Sequence, residues 1–410
     1  MGRDVRTVLV VERDAHRRMG HFPTAFASVA RGFAALGCTV DVLTQQGWLL
    51  GDSPDDGAFS VHRFDRQVAR LDRLAVGARS SAYRLARGRF PRSTRALAMA
   101  DRVSDLSDVC SAALAGVAVR RWARARGTPD LVVVMTYYTT PAVVGAVVRK
   151  IPTLVYTFVG PRRRTRRISS RISRVLQRLS TTTDALCIAT ADRATAALWE
   201  RELPTVPVGT SRIVGIDVTA ERWTSARRVD ARRAARACLG LDENEHIALL
   251  FGAGHPEQDP AVVERAFASE GLGDVGLVVA GTIADRLERP ERLRLVRRGF
   301  VPADELDALL DAADVAVLSF LDDHTRDSAT VVDAVRHGIP VVVSDRSMAA
   351  DLVVQYGFGI CFEPGDAASL TDAVRSVPRE LAEDVVRRAQ DELSAAGVAR
   401  RLLEIAGTAS

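Results

Sequence analysis

The chain has 410 residues, 47% hydrophobic and 26% charged, a globular balance that is too long for one ordinary domain and suits two. A net charge of +5 is mild for this length and no nucleic-acid-binding motif is present, so a nucleic-acid partner is not expected. The five cysteines are scattered with no C-x-x-C pair, fit neither a zinc nor a disulfide framework, and point to a reducing cytoplasm.

The first residues lead straight into an apolar strand and lack the apolar core and cleavage site of a signal peptide. Strands are predicted at 7–11, 39–44, 60–64, 131–135, 153–158, 185–189 and 212–214, in β-branched runs apolar enough for a parallel sheet covered on both faces. A helix over 23–36 ends at Gly37. From 67 to 126 the text is helical, arginine-rich and interrupted by Pro91, and reads as a helical insertion. The uncharged run 131–148 has the length of a membrane span, but Thr136, Tyr137, Tyr138, Thr139, Thr140 and Pro141 divide it into strand, loop and helix.

The alternation resumes with strands at 247–251, 276–280, 315–319, 340–344 and 359–362. Two successive βαβ arrays predict an α/β fold of two Rossmann-like domains facing across a cleft. The expected bounds are 1–214, a connecting segment over 215–236, and 237–410, with the last helix able to return to the first domain. Ligands of open α/β sheets bind outside the carboxyl ends of strands, which places the cleft at those ends.

The stretch from Asp327 to Asp345 carries the most chemistry. Asp327 is a good N-cap, Gly338 a good C′ residue, and Pro340 blocks continuation. Ser328, Ala329 and Thr330 would then open a helix whose start can hold a phosphate, with Asp333 within reach of a bound sugar. An ordinary capped helix of an α/β core reads the same way. Gly252, Ala253, Gly254, His255 and Gln258 follow a strand, and their small members let a ligand come close. Gly20 and His21 follow the first strand; His21, like His16, could orient a sugar or phosphate or move a proton, and either could be a plain surface histidine. The basic run around Arg162 precedes an amphipathic stretch over 168–179, which suits either an anionic membrane surface or simple packing on the sheet.

Taken in order, these segments resemble retaining GT-B-fold glycosyltransferases, the nucleotide-sugar-dependent family four. The segments 251–258, 298–306, 315–319, 327–345 and 356–374 are similar to its donor half, 214–217 to the segment joining its domains, and Met19-Gly20-His21 to its first glycine loop. The resemblance implies a glycosyltransferase, an enzyme of natural product or glycoconjugate biosynthesis, that moves a sugar with retention from a nucleotide-sugar co-substrate to a small-molecule or glycan acceptor. It implies no cofactor and no metal. Donor-binding residues would be Gly20, Gly252, Gly254, His255, Gln258, Ser328, Ala329, Thr330 and Asp333. His21 and Asp327 would be catalytic, and Tyr137, Tyr138 and Arg162 would meet the acceptor. The protein would be cytoplasmic, with peripheral contact to the inner membrane face as a further expectation. The chain departs from the pattern at Ala253 and Gln258, where the family has basic residues, and at Thr325, where it has a glutamate. These departures keep two alternatives open: a non-catalytic partner of a transferase, or a pseudo-glycosyltransferase with an unusual donor or coupling.

Overall fold

The computed structural model describes residues 5–12, 22–45, 57–89, 94–136, 141–157, 185–212, 225–288, 292–321 and 329–407. The chain forms two compact units: one from residues 1–215 together with 395–410, the other from 216–394.

The first unit opens with β1 (Thr7–Glu12), α1 (Phe22–Ala35), β2 (Thr39–Thr44) and β3 (Ser60–Arg63). Two long helices follow, α2 (Arg66–Arg89) and α3 (Thr94–Arg126), which form the insertion legible in the sequence. Then come β4 (Leu131–Thr136), α4 (Pro141–Val148), β5 (Thr153–Thr157), β6 (Leu186–Thr190), α5 (Arg193–Glu202) and β7 (Val208–Thr210). The seven strands form one parallel sheet in the order β3-β2-β1-β4-β5-β6-β7. Leu9, Val11, Val132, Val134, Val155, Leu186 and Ile188 put the sheet's β-branched and leucine side chains into the core, with Trp199 of α5 among them. The last strand of this sheet, β7, lies at Val208–Thr210, the residues that pair with β6; of the strand predicted at 212–214, Arg212 is outside any strand and residues 213–214 lie outside the described residues.

The second unit begins with α6 (Ser225–Leu239), so residues 225–236 are helical where the sequence reads as connecting segment. Burial explains the difference. Arg236 is 2% exposed and donates to the carbonyls of Ala312, Glu243 and Glu245 and, at 2.5 Å, to Asp314. Arg232 binds the other Asp314 oxygen at 2.8 Å. These contacts fix a helix whose arginines look solvated in the linear text. The unit continues through β8 (Ile247–Phe251), α7 (Pro260–Ala268), β9 (Gly276–Gly281), β10 (Leu293–Arg298), α8 (Ala303–Ala312), β11 (Val315–Leu318) and α9 (Ala329–Arg336). It closes with β12 (Val341–Ser344), α10 (Met348–Tyr356), β13 (Gly359–Phe362), α11 (Ala367–Ser376) and α12 (Glu383–Leu393). A final helix, α13 (Ala395–Gly407), belongs to the first unit.

The second sheet is parallel, in the order β10-β9-β8-β11-β12-β13. Strand β10 is not predicted from the sequence. It is an edge strand, Leu-Arg-Leu-Val-Arg-Arg, whose charges suit an exposed margin and mask the apolar run.

Candidate active site

The chain leaves β8 towards β9 and β10, then crosses to β11, β12 and β13 on the other side. The strand order therefore reverses between β8 and β11, and their carboxyl ends define the crevice of the second unit. Three structures meet there: the loop after β8, the turn after β9 and the exit of β11, which leads on to α9.

The loop after β8 is held from both sides. Asp259 donates its N–H to the Ser319 carbonyl at 3.0 Å, and Leu321 donates to Glu257 at 2.8 Å, so residues 257–259 are stitched to the exit of β11. On the other side Ile283 donates to the Gly252 carbonyl at 3.2 Å. A Cβ on Gly281, whose φ is +97°, would lie 2.2 Å from that carbonyl oxygen. A Cβ on Gly254 would lie 2.9 Å from Thr282 backbone. The small residues thus let the β8 and β9 loops meet backbone to backbone.

Gln258 is 5% exposed, and its Oε1 accepts from the His255 N–H at 3.0 Å. Its amide nitrogen lies against Gly252, within 2.6 Å of where a Cβ there would sit. The side chain organises the loop from within. Ala253 and His255 are exposed on it. The sequence reading did not single out Arg286. It ends the short 3-10 turn Thr282–Arg286 and donates to the His255 carbonyl, which brings a guanidinium to a loop that has no basic residue besides His255. Nothing in the local pattern marks Arg286; only the β8–β9 pairing brings it there.

Helix α9 starts at Ala329 and buries Val331, Val332, Ala334 and Val335. Thr330 and Asp333, three residues apart, share its half-buried face. The N–H groups of its first turn have no intrahelical partner, and the dipole there favours an anion. Ser319, at the exit of β11, is 1% exposed, and its hydroxyl meets no hydrogen-bond partner among the described residues. A buried hydroxyl left this way costs about 1–3 kcal/mol unless something satisfies it. Its neighbour Phe320 donates to the Ser344 hydroxyl at 2.7 Å, tying the exits of β11 and β12 together.

Gly20, His21, Tyr137, Tyr138, Arg162, Thr325, Asp327 and Ser328 lie outside the described residues. The strands that lead to the first two pairs, β1 and β4, are neighbours at the strand-order reversal of the first sheet. Among the described residues no cluster of three or more His, Cys, Asp or Glu could hold a metal ion, and no helix is long and apolar enough to cross a membrane.

Two parallel Rossmann-like units of seven and six strands define the GT-B fold. Residues 231–391 match the family model of glycosyl transferases group 1, and the chain is an enzyme of the glycosyltransferase class. Among solved structures, HepE from Anabaena in complex with UDP and glucose aligns over 97% of this chain and 98% of its own, with 15% identity and a TM-score of 0.59. A glycosyltransferase from Rickettsia africae aligns over 99% of both chains, with 12% identity and a TM-score of 0.61. WaaG, a glycosyltransferase involved in lipopolysaccharide biosynthesis, aligns over 97% of this chain and 99% of its own, with 15% identity and a TM-score of 0.57. A search of curated proteins gives no match.

Proposed function

We propose that the chain transfers a sugar, with retention of anomeric configuration, from a nucleotide-sugar donor to a small-molecule or glycan acceptor. The observation that carries this reading is the buried Ser319 hydroxyl, without a hydrogen-bond partner among the described residues, at the exit of β11, the strand that precedes α9, on the β8–β11 crevice. A helix start and a buried hydroxyl together offer donors to a diphosphate. The group leaving in glycosyl transfer is that diphosphate, and fixed donors stabilise its developing charge in the transition state. Asp333 takes the ribose hydroxyls in this reading, and Arg286 provides positive charge that Ala253 and Gln258 do not. His21 and Asp327 act at the sugar, with Gly20, Gly252, Gly254, His255, Ser328, Ala329 and Thr330 around the donor. Tyr137, Tyr138 and Arg162 meet the acceptor, from a first domain over 1–214. Being free of a metal in its leaving-group stabilisation is part of the same proposal.

One observation favours a second reading. Gln258 is committed to the loop itself, and the loop's only basic side chain is His255. A chain with so few cations there could bind a nucleotide without turning it over and serve as the partner of an active transferase.

The test is turnover and binding with a panel of UDP-, GDP- and dTDP-sugars. Transfer or donor hydrolysis with one nucleotide class is expected, with thermal stabilisation by the matching free nucleotide. Asp333→Ala should weaken nucleotide binding by roughly 10- to 100-fold, the loss of a charge-assisted hydrogen bond or two, in a protein that still folds. Stabilisation by a nucleotide with no turnover supports the partner role, and no response to any of them rejects both.

A further inference from the structure

We propose that the α2–α3 hairpin is a docking surface for an anionic lipid bilayer, with α2 lying along the headgroups. Among the described residues nine large hydrophobics are exposed, and five of them lie on these two helices: Leu71, Leu74, Leu85, Met99 and Leu106. All five are at least 53% exposed, a concentration that packing within the first unit does not explain.

Their placement on α2 is ordered. Leu71, Leu74, Ala78 and Leu85 recur at helical spacing and are all exposed, on the flank away from buried Val68, Ala69 and Asp72. Each leucine directly follows an exposed arginine: Arg70, Arg73 and Arg84, with Arg66 one turn before the first. Successive residues sit about 100° apart around the axis, so the arginines form a second stripe beside the leucines. The exposed half of α2 is thereby divided lengthwise into an apolar strip and a cationic strip.

Charge decides the occupant. Helix α2 has seven arginines and one acidic residue. That residue, Asp72, is 1% exposed and accepts from Gln45 at 2.6 Å and Ser111 at 2.7 Å. The outer face of the helix therefore presents no carboxylate. An anionic bilayer satisfies both strips at once: the leucines enter the acyl boundary and the guanidinium groups meet lipid phosphates. A second copy seated on the same strip would bring two arginine rows together, and that repulsion opposes it.

The experiment is flotation of the intact chain with two kinds of vesicle, phosphatidylcholine alone and phosphatidylcholine mixed with phosphatidylglycerol. Recovery with the anionic vesicles only is expected, declining as salt is added. The triple variant Arg66→Gln, Arg70→Gln, Arg73→Gln should lower the partition coefficient about a hundred-fold. The pair Leu71→Gln, Leu74→Gln should remove the fraction that survives high salt. Both variants change exposed side chains, and unchanged circular dichroism confirms that they fold. Failure of the intact chain to float with anionic vesicles overturns the proposal, as does equal flotation of the chain and both variants. A dimer that the leucine pair converts to monomer, with no flotation of either form, overturns it in favour of a second copy.

Discussion

At the scale of single residues, the crevice of the second unit depends on atoms that are missing. Gly281 has φ +97°, and a Cβ there would sit 2.2 Å from the Gly252 carbonyl oxygen, a rigid backbone atom. Gly281→Ala is therefore expected to cost about 2 kcal/mol or more, combining left-handed backbone strain with displacement of the β8 loop. Calorimetry should show the Tm of the second unit falling by roughly 4–8 °C. An unchanged Tm would mean that the two loops do not meet as described. The same contact explains what the sequence did not disclose. Gly252, Gly254 and Gln258 read as a ligand-facing loop because small residues and an amide after a strand suit that role. Their structural partners, Gly281, Thr282 and Ile283, lie one βαβ unit later, and no local spacing encodes that meeting. Arg286 escaped notice for the same reason.

At the scale of elements, α9 carries charge logic at both ends. Its start is the anion-favouring end; its carboxyl end carries Arg336 and is followed by His337. Helix α8 supplies two carboxylates to them. His337 Nδ1 lies 2.6 Å from Asp311 and Nε2 lies 3.3 Å from Asp307, while Arg336 also pairs with Asp307. Arg228 of α6 donates to the His337 carbonyl at 3.2 Å, adding a third cation near the helix end. Burial alone would lower the His337 pKa; hydrogen bonds to Asp307 and Asp311 outweigh it and hold the imidazolium above its ordinary value. A raised folded pKa stabilises fully below the ordinary histidine value, about 6.5, and that stabilisation is lost as pH rises through the folded value. His337→Asn should therefore destabilise most at about pH 6, with the deficit shrinking towards about pH 8. Denaturant titrations of both proteins at the two pH values measure it, and a deficit that grows with pH would refute the charged pairing. Apart from β7 and β10, the strands of both sheets were legible because they are short apolar, largely β-branched runs. Helix α6 and strand β10 were not, since both are arginine-rich. In the text an arginine anchored like Arg236 looks the same as a solvated one.

At the scale of the whole chain, the path runs from the first unit through the second and back. The return is made by α13, which buries Val398, Ala399, Leu402 and Ile405. It lies so close to α1 that a Cβ on Gly32 would meet the Ala395 carbonyl oxygen at 2.0 Å. Arg401 donates to the Thr210 carbonyl at 3.0 Å, and Gly209 makes room for Ile405, so the helix also packs against β7. Burying Val398, Leu402 and Ile405 stabilises by about 1.5–3 kcal/mol each before the cost of ordering the helix. That sum is of the order of a domain's whole stability, about 5–15 kcal/mol. The second unit has its own core, built around Leu250, Leu277, Val317 and Val342, to which α13 contributes nothing. Truncation after Ser394 is therefore expected to strip amide protection from the strands of the first sheet and leave that of the second in place. Gly32→Ala in the full chain should act in the same direction but more weakly, lowering one thermal transition and sparing the other. Hydrogen exchange resolved by segment separates the outcomes. Equal loss in both sheets would show that the two units stand or fall together, and intact protection in the first would show that its core is complete without the returning helix.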